Sequence, residues 1–310
     1  PAVTVPAGQS FSGNLRMTNS EFKAADVSRA RRPVPWLRWV LYAAVTAIIL
    51  YFLWICSKNP NFEWEVVAQY FTHDSILHGI KMTLGLTVVS MVIGTVLGLI
   101  CALGKLSGSR FFNTLSNIYL WFFRSTPLLV QLLFWYNLAA LFPEVTLPGM
   151  GAVSTNTLIT PLSAAIIGLS LNEGAFMGEI IRAGLLSVDP NQKETAQAFG
   201  MSRLQIMFRI LIPQAMTAII PPTGNQVISM VKATAMVSII AMDDLLYSVQ
   251  TIYNVTFQII PLLIVAVIWY LIITSVLSVI QWMIERHFSK GRSRSTPAAE
   301  ETLAAEGVSA

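Results

Sequence analysis

Charge is what this 310-residue chain has least of. Only 12% of its residues are Asp, Glu, Lys or Arg, against about 25% in soluble domains. Cysteine is nearly absent too. Cys56 and Cys101 stand apart, each next to or inside an apolar run, and match no metal or redox spacing. Both read as small packing residues. The three histidines, His73, His78 and His287, are scattered and suggest no metal site. No Gly-x-x-x-x-Gly-Lys-Ser/Thr phosphate loop is present, since Gly104-Lys105 and Gly291-Arg292 lack the glycine spacing. If this chain works with ATP, another chain must bind it.

What the chain does have is apolar length. Hydrophobic residues make up 54% of it, in continuous runs approaching the ~20 residues that cross a bilayer. Continuous rather than alternating runs argue against a β-barrel, so the expected class is an all-α polytopic membrane protein. Six spans are expected: Trp36 to Cys56, Ile76 to Leu103, Phe111 to Phe142 (interrupted by Arg124 and Pro127), Leu162 to Ala183, one within Ile206 to Ala241, and Pro261 to Ile284. The fifth region would reach about 54 Å as one helix, against a hydrocarbon core of about 30 Å. With Pro213, Pro221 and Pro222 inside it, the reading is a surface segment to Ile220 and a crossing from Pro221 to Ala241.

The net charge of +4 and pI of about 9.2 are read as topology and not as affinity for nucleic acid. With a cytoplasmic N-terminus, sixteen of the 20 Lys and Arg fall in inner segments and only Lys58 in an outer loop. The outer loops hold Glu63, Glu65, Asp74, Glu144, Asp243 and Asp244. That asymmetry is the positive-inside pattern, and it places both termini in the cytoplasm. The expected organisation is a cytoplasmic tail at 1–35, an uncleaved first span at 36–56, a transmembrane domain at 75–287 containing a loop at 187–205, and a disordered cytoplasmic tail at 288–310.

The loop after the fourth span has a legible grammar. Asp189 can cap a helix that starts at Pro190, with Gln192 reaching back. Gly200 ends it in a left-handed turn, and Ser202 with Gln205 forms a second capping box. Any cytoplasmic loop can hold short capped helices. This one also resembles the loop of ATP-binding-cassette (ABC) importer permeases: Glu-Ala-Ala, three residues, Gly, nine residues, Ile-x-Leu-Pro. Here it reads Glu194-Thr195-Ala196, Gly200, then Ile210-Leu211-Ile212-Pro213, with Thr195 for Ala and Ile212 for Leu.

Further segments resemble the polar amino-acid branch of that family (histidine, glutamine, glutamate, arginine and cystine importers). They are Gly79 to Leu84, Arg124-Ser125-Thr126-Pro127 with Gln131, Leu171-Asn172-Glu173-Gly174-Ala175, Pro221-Pro222, Gly224-Asn225-Gln226 and Lys232-Ala233-Thr234-Ala235. The likeness runs from about Gly79 to Arg286 and leaves the first span as an extra anchor. It implies a five-helix type I importer core in a bacterial inner membrane. It also implies ABC ATPase subunits that carry ATP and Mg, a second permease subunit of the same or another sequence, and a periplasmic or lipid-anchored amino-acid-binding protein. The chain itself would be a transport subunit with no catalytic residue and no cofactor. Glu194, Thr195, Ala196, Gly200, Ile210 and Pro213 would then couple it to the ATPase.

Arg124, Glu173 and Lys232 are expected near mid-membrane, where charge is costly and faces protein or water. Asn225, Ser229 and Lys232 recur at i, i+4 and i+7 on one helical face. With Thr126, Gln131 and Asn172 they make a candidate substrate path. Glu173 has three open roles: a pair with Arg124 or Lys232 that glues helices, substrate contact, or gating. An ion-coupled secondary carrier also uses broken helices and midplane charge, but it gives no reason for the Glu194 to Pro213 spacing. A channel would want a ring of identical groups at a constriction.

Overall fold

The computed structural model describes residues 36–147 and 151–289. The expected tail at 1–35 lies outside them; of the expected disordered tail at 288–310, residues 288 and 289 are the end of the last helix and the rest lie outside. The chain divides into two units, Pro1–Asn59 and Pro60–Ala310. The first unit contributes α1 (Trp36–Lys58), an apolar helix long enough to cross a bilayer.

The second unit begins with α2 (Trp64–Phe71) and α3 (Asp74–Leu106). It continues with α4 (Arg110–Ser125), α5 (Leu128–Tyr136) and the short α6 (Leu138–Leu141). A two-stranded antiparallel hairpin, β1 (Glu144–Leu147) with β2 (Gly151–Ser154), leads into α7 (Thr155–Leu158). Then come α8 (Pro161–Leu186), α9 (Pro190–Ala198), α10 (Arg203–Ile206), α11 (Ile212–Ala233), α12 (Leu245–Thr256) and α13 (Ile259–Ser289). Among the described residues, five helical stretches are long and apolar enough to span a membrane, and a sixth forms if α4 and α5, bent by 101° at their junction, count as one.

The core is a seam between α3 and α8. Gly94 of α3 lies against Glu173 and Gly174, and Gly98 lies against Met177 and Gly178. Small residues on both sides let the two backbones approach closely, and a Cβ added at Gly94 would fall 2.7 Å from that of Glu173. The matching order of these contacts makes α3 and α8 parallel. α11 runs the other way, meeting α8 at Gln226 with Glu173 and at Ile219 with Gly184. α13 opposes α11 in turn, with Gln281 on Gly224 and Tyr270 on Asp244. One end of the bundle therefore gathers the α3–α4 turn, the α8–α11 loop and the end of α13. The other gathers α2, the hairpin and α12.

Two expectations change. Residues 212–220 do not form a separate surface segment, because α11 runs unbroken through Pro221 and Pro222 to Ala233 and then tightens into a 3-10 turn, Thr234–Ile240. Two prolines remove two N–H donors but need not end a helix whose freed carbonyls find neighbours. The carbonyls that the two prolines free are those of Thr217 and Ala218; Gln281 of α13 packs close by and donates to the Pro221 carbonyl at 3.4 Å. The hairpin and α12 carry no long apolar run and were not expected.

Candidate functional site

The α8–α11 loop folds largely as its residues dictate. Asp189 caps α9 by accepting the Asn191 N–H at 2.9 Å, with Pro190 at the first position. Gln192 does not reach back to close a capping box; its side chain accepts instead from Gln214 at 3.5 Å. Gly200 has φ +75°, the left-handed value that a side chain disfavours. Ser202 and Gln205 form the expected reciprocal box. A π-helical turn, Met207–Leu211, then passes into α11. Pro213 sits in the first turn of α11, where its missing N–H costs least.

Ala196 is buried and anchors α9, while Glu194 and Thr195 face outward. The hydrophobic neighbours do not follow the usual rule. Phe199 is 83% exposed, Leu204 71% and Phe208 67%. Three large apolar side chains left open beside a polar helix mark a contact surface. Nothing in the loop motif singled them out. All three follow α9, with Phe199 at its C-terminal cap, Leu204 in α10 and Phe208 in the π turn.

At the α4–α5 junction the chain turns because Pro127 cannot donate to the Phe123 carbonyl. Two side chains donate in its place: Gln131 Nε2 at 3.1 Å and Asn172 Nδ2 of α8 at 2.9 Å. Gln131 Nε2 also donates to the Thr126 carbonyl at 3.1 Å and to the Thr126 hydroxyl at 2.7 Å. Asn172 in turn donates to Gln131 Oε1 at 3.4 Å. Thr126, Gln131 and Asn172 are thus brought together as a clasp on a broken helix.

Arg124, between Phe123 and Thr126 of the clasp, places its guanidinium carbon 5.6 Å from the centre of the Phe176 ring, a cation–π distance. It lines a cavity of about 500 Å³ with Lys105, Asn117, Trp121 and Glu179. Glu179 holds Lys105 at 3.5 Å and is also paired with Arg182.

Glu173 is 1% exposed in the middle of α8. Its Oε2 accepts from Gln226 Nε2 of α11 at 3.0 Å, and its Oε1 has no partner among the described residues. The expected cationic partners are not there, since Arg124 rests on Phe176. The reason is helix phase: Gln226, not Lys232, is the α11 side chain turned toward α8. Asn225, Ser229 and Lys232 lie on another face, all three exposed, and Met236 and Ile239 extend that stripe. An open polar stripe on a spanning helix is expensive in lipid, so this face belongs against water or another protein. Among the described residues no group of His, Cys, Asp and Glu is placed to hold a metal.

Residues 94–290 match the family described as binding-protein-dependent transport system inner membrane components. The chain is 39% identical over 266 residues to the arginine transport system permease protein ArgU of Corynebacterium glutamicum, covering 85% of this chain and 84% of that one. It is 36% identical to the L-cystine transport system permease protein TcyB of Bacillus subtilis, covering 73% and 92%. Among solved structures, an amino acid ABC transporter crystallised with histidines superposes with a TM-score of 0.59 at 36% identity, over 69% of this chain and 94% of that chain. The MetNI methionine transporter in an inward-facing form shares the fold, with a TM-score of 0.57 at 20% identity over 69% and 96%.

Proposed function

The chain belongs to the binding-protein-dependent transport system inner membrane components, the permease subunits of ABC importers, and on that premise we propose that it carries a polar amino acid into the cytoplasm. It is a transport subunit, with ATP hydrolysis in a separate chain. The observation that carries the reading is the pairing of two surfaces on one connected stretch. The capped helix α9, with exposed Glu194 and Phe199, meets the ATPase. α11, which follows it through the π turn, presents Asn225, Ser229 and Lys232 to the path. A push on α9 reaches α11 through Ala196 and the 207–211 turn. Ile210 and Pro213 set the angle at which it arrives.

In this reading the path runs between two permease subunits and is lined by the α11 stripe and Arg124. Lys232 and Arg124 offer positive groups to the carboxylate that every amino acid has, in a site where low dielectric strengthens the attraction. Glu173 lies behind the lining, orienting α11 through Gln226. Thr126, Gln131 and Asn172 keep the elbow that opens the space. The external binding protein meets the end with α2, the hairpin and α12, and the α9 end and both termini lie in the cytoplasm.

The test is ATP hydrolysis by the reconstituted permease–ATPase complex, with and without binding protein, screened across arginine, histidine, glutamine, glutamate and cystine. Stimulation by one or more of these is expected. Uptake by the permease without any ATPase would make it an ion-coupled carrier instead.

A further inference from the structure

On the opposite side of α11 from the polar stripe the bundle contains a deep groove. It encloses about 680 Å³, within the roughly 300–1,000 Å³ that small-molecule ligands occupy. α3, α8, α11 and α13 form its walls, with Leu99, Met177, Met216, Ile220 and Val227 among the side chains facing it. At about 100° of turn per residue, the groove residues Met216, Ile220, Thr223 and Val227 lie roughly 170° round the helix from Asn225, Ser229 and Lys232. A hydrated, charged amino acid has no use for such a wall. The groove is separate from the proposed path.

Polar and charged side chains enter its lining beside Thr95 and Thr223. These are Arg203, Gln281 and Glu285, Gln281 donating to Glu285 at 2.8 Å. A second cavity of about 650 Å³ shares Leu103, Leu185, Arg203 and Met207 with the first and adds Lys193 and Asp189. The two form a continuous cleft, apolar along the bundle and polar at the α9 end. Its rim carries two cations, Arg203 and Lys193, and two carboxylates, Asp189 and Glu285. Asp189 spends one oxygen on the α9 cap, and Glu285 takes the Gln281 amide. Arg203 is the one charged residue that lines both cavities.

We propose that this cleft binds a phospholipid of the cytoplasmic leaflet, one acyl chain lying along α11 and the phosphate held at Arg203. The assignment of leaflet rests on the orientation proposed above; the cleft itself does not. An apolar hollow open to hydrocarbon is filled by hydrocarbon, because an empty one forfeits contact on every wall. A rim of both signs suits a headgroup with phosphate and ammonium together, so the occupant is a zwitterionic phospholipid of the phosphatidylethanolamine type. A lipid seated there touches α8, α10, α11 and α13 at once. It would hold the α9–α11 connection, through which coupling passes, against the bundle.

The experiment uses the permease–ATPase complex in nanodiscs containing phosphatidylethanolamine with a photoreactive acyl chain. Cross-linked peptides are mapped by mass spectrometry. Labelling is expected to concentrate on Met216 to Val227 and on Gln281 to Glu285, well above the outward residues Val267 and Leu271 of α13. Ile220→Trp, which fills the groove, should remove most of the groove labelling and leave that of Val267 and Leu271 unchanged. Arg203→Gln should lower the amount of phospholipid retained through detergent washing. Equal labelling of groove and outward residues overturns the proposal, as does groove labelling that survives Ile220→Trp. A groove occupied by a second permease chain would appear as protein–protein cross-links and would overturn it too. The wild-type map decides the matter even if a variant assembles poorly, and it is independent of whether the complex transports any amino acid.

Discussion

The Phe123 carbonyl has two side-chain donors, and removing them one at a time separates their roles. Gln131→Leu strands that carbonyl in part and takes the donor from the Thr126 carbonyl, while the Thr126 hydroxyl keeps its bond to the Phe122 carbonyl. It should cost about 1–3 kcal/mol, the usual penalty for buried groups left unpaired. Asn172→Ala leaves Gln131 in place and should cost less, and the double variant should exceed the sum of the two. Thermal unfolding of the purified permease–ATPase complex gives all three; strict additivity would mean that the clasp is not one unit. Asp244 offers a second residue-level test. It lies between spanning segments, fully buried, and burial pushes its carboxyl up to about 6 despite accepting hydrogen bonds from Tyr247, Leu246 and Tyr270. The folded value exceeds the ordinary one. The contribution of this group to stability is therefore complete below about pH 4 and is lost as pH rises through about 6. Asp244→Asn should flatten that part of the stability–pH curve. Matching slopes in wild type and variant would assign the dependence to another group.

Among elements, the α9–α11 loop was the most legible in sequence, because its caps are local: Asp189, Pro190, Gly200, Ser202 and Gln205 act on backbone groups within three residues of themselves. Gly200→Val should strain the turn by about 1–2 kcal/mol. Phe199→Ser should leave the fold intact. Both should reduce the ATPase that co-purifies with the permease while the permease stays in the membrane, and full ATPase recovery from both would remove the loop from the interface. The spans were legible within a few residues at most ends, since a run of apolar residues reports its own length. The continuity of α11 was not legible. Pro221 and Pro222 announce a break, and packing against neighbouring helices, not local sequence, decides that the helix runs on. The partner of Glu173 was hidden for the same reason. The number of charges along a chain does not state helix phase, and it is phase that gives Glu173 to Gln226 and leaves Lys232 open.

At the scale of the whole molecule, the alternating directions of α3, α4–α5, α8, α11 and α13 set which loops share an end. Single cysteines near Glu63, Glu144 and Asp243 should react with an impermeant maleimide in intact cells, and one at Lys193 should react only after permeabilisation; labelling of Lys193 from outside would invert the proposed orientation. The α3–α8 seam sets the mechanical frame. Gly94→Ala should cost about 1–3 kcal/mol by overpacking, read as a lower melting temperature, because the added methyl meets the Cβ and Cγ of Glu173. Two helices in backbone contact along successive turns have no slack to slide or tilt against one another. For single-molecule spectroscopy this makes the seam a built-in ruler. A donor fluorophore at the end of α3 and an acceptor at the end of α8 should hold one transfer efficiency through every nucleotide state, and an acceptor moved to α11 reads its displacements against that constant baseline.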